Sequence, residues 1–240
     1  MLDDSVVERV LVVTAHPDDV DFAAAGTIAT WTDSGVEVTY CVCTDGDAGG
    51  FDPDVDRADI PGIRRAEQQA AAKEVGVSDV RFLGYKDGYL AATQEVRRDI
   101  SRVIRQVRPQ RMVISSTERN WMRLPASHPD HLAAGEAAIC AIYPDSRNAF
   151  AHPELLRDEG LEPWTVSEAW LVAHHTNDHY VDITDVFDRK LAALHAHVSQ
   201  TAHTEGFDDR MRGWFSANAV AAGLPDGHLA EAFMVVPTAF

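Results

Sequence analysis

Short β-branched apolar runs recur along this chain, each followed by a stretch with apolar residues at helical spacing. Val10 to Thr14, Glu37 to Thr44, Val80 to Tyr85, Met112 to Ser115 and Glu168 to Ala173 read as strands. Asp21 to Asp33, Ile63 to Val75, Gln94 to Val107 and Asp130 to Tyr143 read as the intervening helices, the second closed by Gly76 and the third stopped before Pro109. Strands alternating with helices call for a mostly parallel sheet covered on both faces, so the fold class is α/β. In such sheets ligands bind beyond the carboxyl ends of the strands.

The rest of the chain fits one domain over residues 1–240. Val181 to Thr184 reads as a further strand and Asp185 to Ser199 as one helix. The last 40 or so residues, with a helix over 208–222 and a short strand over 233–236, are expected as an appended element. Residues 144–167, interrupted by Pro144, Pro153 and Pro163, form a long connection without a clean period.

The formal charge of -17 argues against nucleic acid or an anionic membrane surface as a partner, because phosphates would be repelled. The start, MLDDSVVERV, does not read as a targeting segment, and no apolar run is long enough to cross a bilayer. Cys41 and Cys43 alternate along a strand and read as buried packing rather than a metal pair, and Cys140 falls on a helix. Three cysteines without framework spacing fit a reducing compartment, and a cytoplasmic protein is expected.

The polar motifs fall where the strands end. AHPDD follows the first strand and brings His16, Asp18 and Asp19; SHPDH follows the fourth and brings His128, Asp130 and His131. Catalytic zinc is held by three protein ligands drawn from His and carboxylate, with a fourth position open. A His/Asp pair from one loop and a His from the other would supply that set. Either motif alone is also ordinary turn chemistry, since Pro and Asp favour turns; both at one edge of one sheet are harder to read that way. Asp130 is placed to orient one of the two histidines.

Other polar features carry less. The loop over 45–62, DGDAGGFDPDVDRADIPG, lacks both the dinucleotide-binding glycine spacing and the terminal Glu of an EF-hand, so it reads as a flexible site loop with solvated acids. His152, His179, His195, His197, His203 and His228 read as surface or structural. His174 and His175 follow a strand and are candidates for a pocket wall.

The AHPDD and SHPDH pair, the RRAE helix start at 64–67 and the FLGYKDG stretch resemble the PIG-L, or LmbE-like, deacetylases. The likeness extends more loosely through AHPELLRDEGLEPW and VDIT, and covers most of residues 8–200. It implies a Rossmann-like three-layer fold and a zinc-dependent N-deacetylase of GlcNAc-type amino sugars, or a related amidase acting on a sugar-linked cysteinyl conjugate. By that resemblance His16, Asp19 and His131 match the ligands of one Zn2+ per chain, Asp18 the general base, and His128 a group that stabilises the oxyanion or assists proton transfer. Iron or cobalt can use the same ligands. Arg64 and Asp87 match positions that contact the sugar in some members, and Trp121 could stack on a sugar face.

Two departures stand out. The family's AHPDDE reads AHPDDVD here, with Val20 in the sixth place and Asp21 after it; a tyrosine found two residues before the HPDH histidine in some members is Ala126. A non-catalytic sugar- or nucleotide-binding module is the alternative from another class, and it would have no use for Asp18. The oligomeric state is left open, with a homo-oligomer compatible.

Overall fold

The computed structural model describes residues 1–239. Seven strands form one sheet: β1 (Arg9–Thr14), β2 (Glu37–Thr44), β3 (Asp79–Tyr85), β4 (Arg111–Ser115), β5 (Glu168–Val172), β6 (His179–Asp182) and β7 (Ala230–Pro237). Their order is β3-β2-β1-β4-β5-β7-β6. The first five are mutually parallel, while β7 is antiparallel to both β5 and β6. The helices are α1 (Asp19–Asp33), α2 (Ile60–Glu74), α3 (Gln94–Val107), α4 (Pro129–Cys140), α5 (Pro153–Arg157), α6 (Phe187–Ala196), α7 (Val198–Thr201) and α8 (Phe207–Ala221). The α/β class read from the sequence, with the Rossmann-like layers that the resemblance implied, is the fold adopted.

Alternation along the central strands divides the core. Val10 and Val12 of β1, Val38 and Tyr40 of β2, and Val113 of β4 pack with Ala25, Ile28 and Trp31 of α1 and Ala71 and Ala72 of α2. Leu11 and Val13, Cys41 and Cys43, and Met112 and Ile114 face the other way, onto Ile100 and Ile104 of α3 and Ala134, Ala137 and Ala138 of α4. Side chains two apart share a sheet face, which is why both faces of each strand are apolar. The two strand cysteines are free and buried, and burial pushes the Cys41 thiol up to about 12 and raises that of Cys43 as well. Chain order reverses between β1 and β4, so a crevice opens where AHPDD and SHPDH leave the sheet.

Several boundaries differ from those expected. Helix α2 starts at Ile60 rather than Ile63, because Pro61 falls in its first turn, where no amide hydrogen is needed. The single helix expected over 185–199 is broken between α6 and α7 at His197, which leaves helical geometry at φ -83, ψ 60. Its ring is fully buried, with Nε2 2.8 Å from Asp21 Oδ2. The segment set apart as a C-terminal element puts β7 inside the sheet and α8 onto a third apolar cluster with Ile183, Phe187 and Leu194.

Helix α1 carries the first motif and is clamped from below. Lys190 and Glu231 meet at 2.6 Å, both with fully buried side chains. Lys190 Nζ also donates to the Asp21 and Phe22 carbonyls, and Glu231 accepts the Gly26 and Thr27 amides. A Cβ at Gly26 would stand 2.7 Å from Ile183, so a side chain there would force the helix off its support. Removing one member of a buried pair strands the other charge, so Glu231→Ala should cost about 3–5 kcal/mol in urea unfolding; an unchanged midpoint would show that the clamp contributes nothing.

Candidate metal centre

The β1 end is tied to β2 before the motif begins: the Ala15 carbonyl accepts the Thr44 amide at 2.8 Å and the Thr44 hydroxyl at 2.9 Å. The chain then turns sharply through His16–Pro17–Asp18. Asp18 has φ 91, in the left-handed region that a residue with a Cβ adopts only under constraint. Its amide donates to Gln68 Oε1 at 2.8 Å, and its carbonyl accepts the Asp21 and Phe22 amides that open α1. This turn sends adjacent carboxylates to different partners. Asp18 Oδ2 accepts Arg64 Nη2 at 3.0 Å, while Asp19 faces His16 and His131.

The second motif starts α4. His128 is its N-cap, with Nδ1 accepting the Asp130 amide at 3.2 Å, and Pro129 occupies the first turn. One turn beyond His131, a Cβ at Gly135 would lie 2.4 Å from the Ser115 carbonyl. Glycine there lets α4 rest directly on the end of β4, which sets the depth of His131.

Donor atoms of three residues converge. His16 Nδ1 is 3.2 Å from His131 Nε2 and 3.6 Å from Asp19 Oδ2; His131 Nε2 is 2.9 Å from Asp19 Oδ1. Ligands of a tetrahedral zinc site bound at about 2.0–2.1 Å stand roughly 3.3–3.4 Å apart. The electrostatics agree. Burial opposes a charged His16 ring, yet hydrogen bonds and charge from Asp19 and Asp87 raise its pKa to about 11. Burial likewise opposes charge on His131, and Asp19 raises it. Burial favours a neutral Asp19, but the His131 and His16 rings hold its carboxyl well below the ordinary range. Carboxylates that draw protons onto facing imidazoles form a site where a divalent cation would replace those protons. The three residues fit a metal.

Each histidine is held from behind. His16 Nε2 lies 3.0 Å from Asp87 Oδ1 and 3.2 Å from Asp130 Oδ2, leaving Nδ1 as the inward atom. Asp130 also accepts the Gly88 amide at 2.7 Å, and Asp87 accepts the Ala48 amide at 3.2 Å, so the KDG turn and the loop after β2 are tied to this ring. His131 Nδ1 approaches the Ala126 carbonyl at 3.4 Å, which leaves Nε2 to face inward. His128 stands against both rings, at centroid distances of 5.0 Å and 5.5 Å. Burial and the two neighbouring imidazoles lower its pKa; with Nδ1 accepting, its proton sits on Nε2.

Arg64 is buried beneath Asp18 and donates to the Pro17 carbonyl at 2.5 Å and the Gly46 carbonyl at 3.1 Å as well as to Asp18. Burial pushes the Asp18 carboxyl up to about 6, with Arg64 pulling against it. Beneath lies a set of partners that motif reading did not find. Gln68 bridges the Asp18 amide to Asp21 Oδ2, which in turn meets His197. Burial would lower the His197 pKa, but Asp21 raises it. Asp21, one place beyond Val20, thus reaches Asp18 through Gln68; only its offset from the family motif hinted at this, and nothing in the sequence marked Gln68.

A cavity of about 490 Å3 opens beside the centre, with Asp19 and His131 in its wall together with Ala126, His174, His175 and Trp214. Side chains of α8 and the loop after β5 border the cavity alongside Ala126. Trp121 is exposed on the loop before SHPDH, with Arg119 over its ring at 5.6 Å. Among the described residues, no helix is long and apolar enough to cross a membrane.

Comparison with known proteins adds to this geometry. A family model described as PIG-L, GlcNAc-PI de-N-acetylase, matches residues 11–142. The chain is 32% identical over 235 residues to a diacetylchitobiose deacetylase of Thermococcus kodakarensis, covering 98% of this chain and 85% of the relative. It is 36% identical over 204 residues to a probable N-acetyl-alpha-D-glucosaminyl L-malate deacetylase 2 of Bacillus cereus, covering 80% and 84%. The crystal structure of N,N'-diacetylchitobiose deacetylase from Pyrococcus horikoshii, complexed with an inhibitor, superposes with a TM-score of 0.89 at 30% identity, covering 98% and 85%.

Because Asp130 and Asp87 orient His16, Asp130→Asn should weaken divalent-cation binding by about 10–100-fold in calorimetric titration. An unchanged Kd would remove Asp130 from that role.

Proposed function

The chain belongs to the PIG-L family of GlcNAc-PI de-N-acetylases, and on that premise we propose that it is a zinc-dependent amide hydrolase releasing the N-acetyl group of a GlcNAc-type amino sugar. The observation that carries this reading is the convergence of His16, Asp19 and His131 beside a cavity that Asp19 and His131 line, with the carboxylate of Asp18 next in the chain and turned to a different partner. The acetamido sugars in the names of the relatives define the substrate class.

His16 Nδ1, Asp19 and His131 Nε2 would hold the ion. When bound, zinc supplies Lewis-acid chemistry, polarising an amide carbonyl and bringing water within about one unit of neutrality in its pKa. The remaining work falls to the chain. Asp18 takes a proton from the attacking water and returns it to the departing amine. Arg64 and the Gln68 bridge keep its carboxylate and backbone in place for both transfers. His128, neutral with its proton on Nε2, donates to the oxygen that gains negative charge as the carbonyl becomes tetrahedral. Asp87 and Asp130 prevent His16 from rotating. The cavity, bordered by Trp214 and the His174–His175 pair, receives the sugar and whatever it is linked to.

Diacetylchitobiose and simpler GlcNAc derivatives are the substrates with which to begin, with released acetate and new primary amine as readouts. Chelation should abolish turnover and added Zn2+ restore it. Asp18→Asn should retain its metal while kcat falls by about 10²–10⁴-fold. His131→Ala should lose metal and turnover together. Wild-type turnover in metal-loaded Asp18→Asn would end the role given to that carboxylate; a metal-loaded parent protein that releases no acetate from any GlcNAc-type amide would end the proposal.

A further inference from the structure

We infer that Glu118, His174 and His175 form a second divalent-cation site, at the wall of the same cavity, suited to an ion such as Zn2+, Co2+ or Ni2+. Consecutive residues of a strand point to opposite faces. Just past β5, however, Ala173 adopts φ 59, a left-handed conformation uncommon for a residue with a Cβ. Beyond it the His174 and His175 rings lie side by side, with centroids 4.3 Å apart and planes inclined by 31°. Both border the cavity.

His174 is buried, and its ring is held by the backbone two residues on. Nδ1 sits 2.7 Å from the Thr176 carbonyl and 3.0 Å from the Thr176 amide. The Thr176 amide donates to Nδ1 and the Thr176 carbonyl lies on the same nitrogen, so the backbone fixes the ring through Nδ1. Nε2 is the nitrogen turned toward Glu118, as in histidines that bind metals through one nitrogen while the backbone holds the other.

The separations fit a metal site. Glu118 Oε2 is 3.6 Å from His174 Nε2 and 3.4 Å from His175 Nδ1. These are too long for good hydrogen bonds. They match the edge of roughly 3.3–3.4 Å between donors of a tetrahedral site with bonds of about 2.0–2.1 Å. All three donor atoms lie within 4.8 Å of one another. Glu118 is set on a small turn, its amide donating to Ser116 Oγ at 3.0 Å and its carbonyl accepting from that hydroxyl at 3.2 Å. Two imidazoles and one carboxylate repeat the donor set of His16, Asp19 and His131, and that mixture suits borderline transition ions rather than calcium or magnesium. The Glu118 side chain is 61% exposed and that of His175 48%, so an ion enters here without opening the fold.

This inference does not rest on the deacetylase reading, and its test reads bound metal rather than turnover. Full-length protein, stripped by a chelator, is equilibrated by dialysis against Zn2+ or Co2+ and its metal content measured by mass spectrometry. The parent protein should take up about two ions per chain, and His175→Ala, His174→Ala/His175→Ala and His131→Ala about one each. Glu118→Gln should weaken the second site by about tenfold or more. His175 is half exposed, so its replacement leaves the fold intact and serves as the decisive variant, with circular dichroism as the check. Uptake of one ion by the parent protein, or of two by His175→Ala, would overturn the inference.

Discussion

Everything at the site depends on two segments far apart in sequence meeting through one small triangle of donor atoms. His16 Nδ1 and His131 Nε2 belong to residues 115 positions apart, yet they stand 3.2 Å from each other, with the Asp19 carboxylate touching both. Like partial charges do not gather in a buried place without a cation or protons to hold them. The protein meets that demand by placing β1 beside β4, so that the loop from one and the helix after the other open into a common crevice. The five parallel strands and the helices on both faces give that crevice its rigidity.

Behind the triangle, the carboxylates are graded by depth. Asp87 and Asp130 turn the outer nitrogen of His16 away from the centre, and the backbone amides of Ala48, Gly88 and Leu90 fix those carboxylates in turn. Below the Asp18 turn, Gln68, Asp21 and His197 continue the chain of hydrogen bonds to the break between α6 and α7. The Lys190–Glu231 clamp holds α1 itself. Polar groups this deep are tolerated because most are partnered, and they fix the left-handed backbone of Asp18, whose carboxylate and that of Asp19 must serve different partners. The cost of the unusual conformation is borne by the surrounding structure.

The cavity wall draws on both parts of the chain. Trp214 comes from α8 and the histidine pair from the loop after β5, in the half of the chain beyond the 11–142 match of the family model. The segment that supplies the triangle also contributes to that wall, through Asn120, Arg123 and Ala126 among others. Metal ligation tolerates few donor types and distances, whereas a pocket wall can be built from many side chains.

The sequence alone determined the α/β class, the strands that lead to HPDD and HPDH, and the His and Asp candidates in those motifs, because periodicity and turn chemistry are local properties. It also marked Asp21 as out of place. Only the tertiary structure decided that Arg64 packs beneath Asp18, that Asp87 and Asp130 share one nitrogen of His16, that Gln68 and His197 join the support, and that β7 threads between β5 and β6. No local pattern encodes these contacts. They arise because buried donors and acceptors must find partners across the packed layers, and which partner lies within reach is set by how the sheet and helices come together.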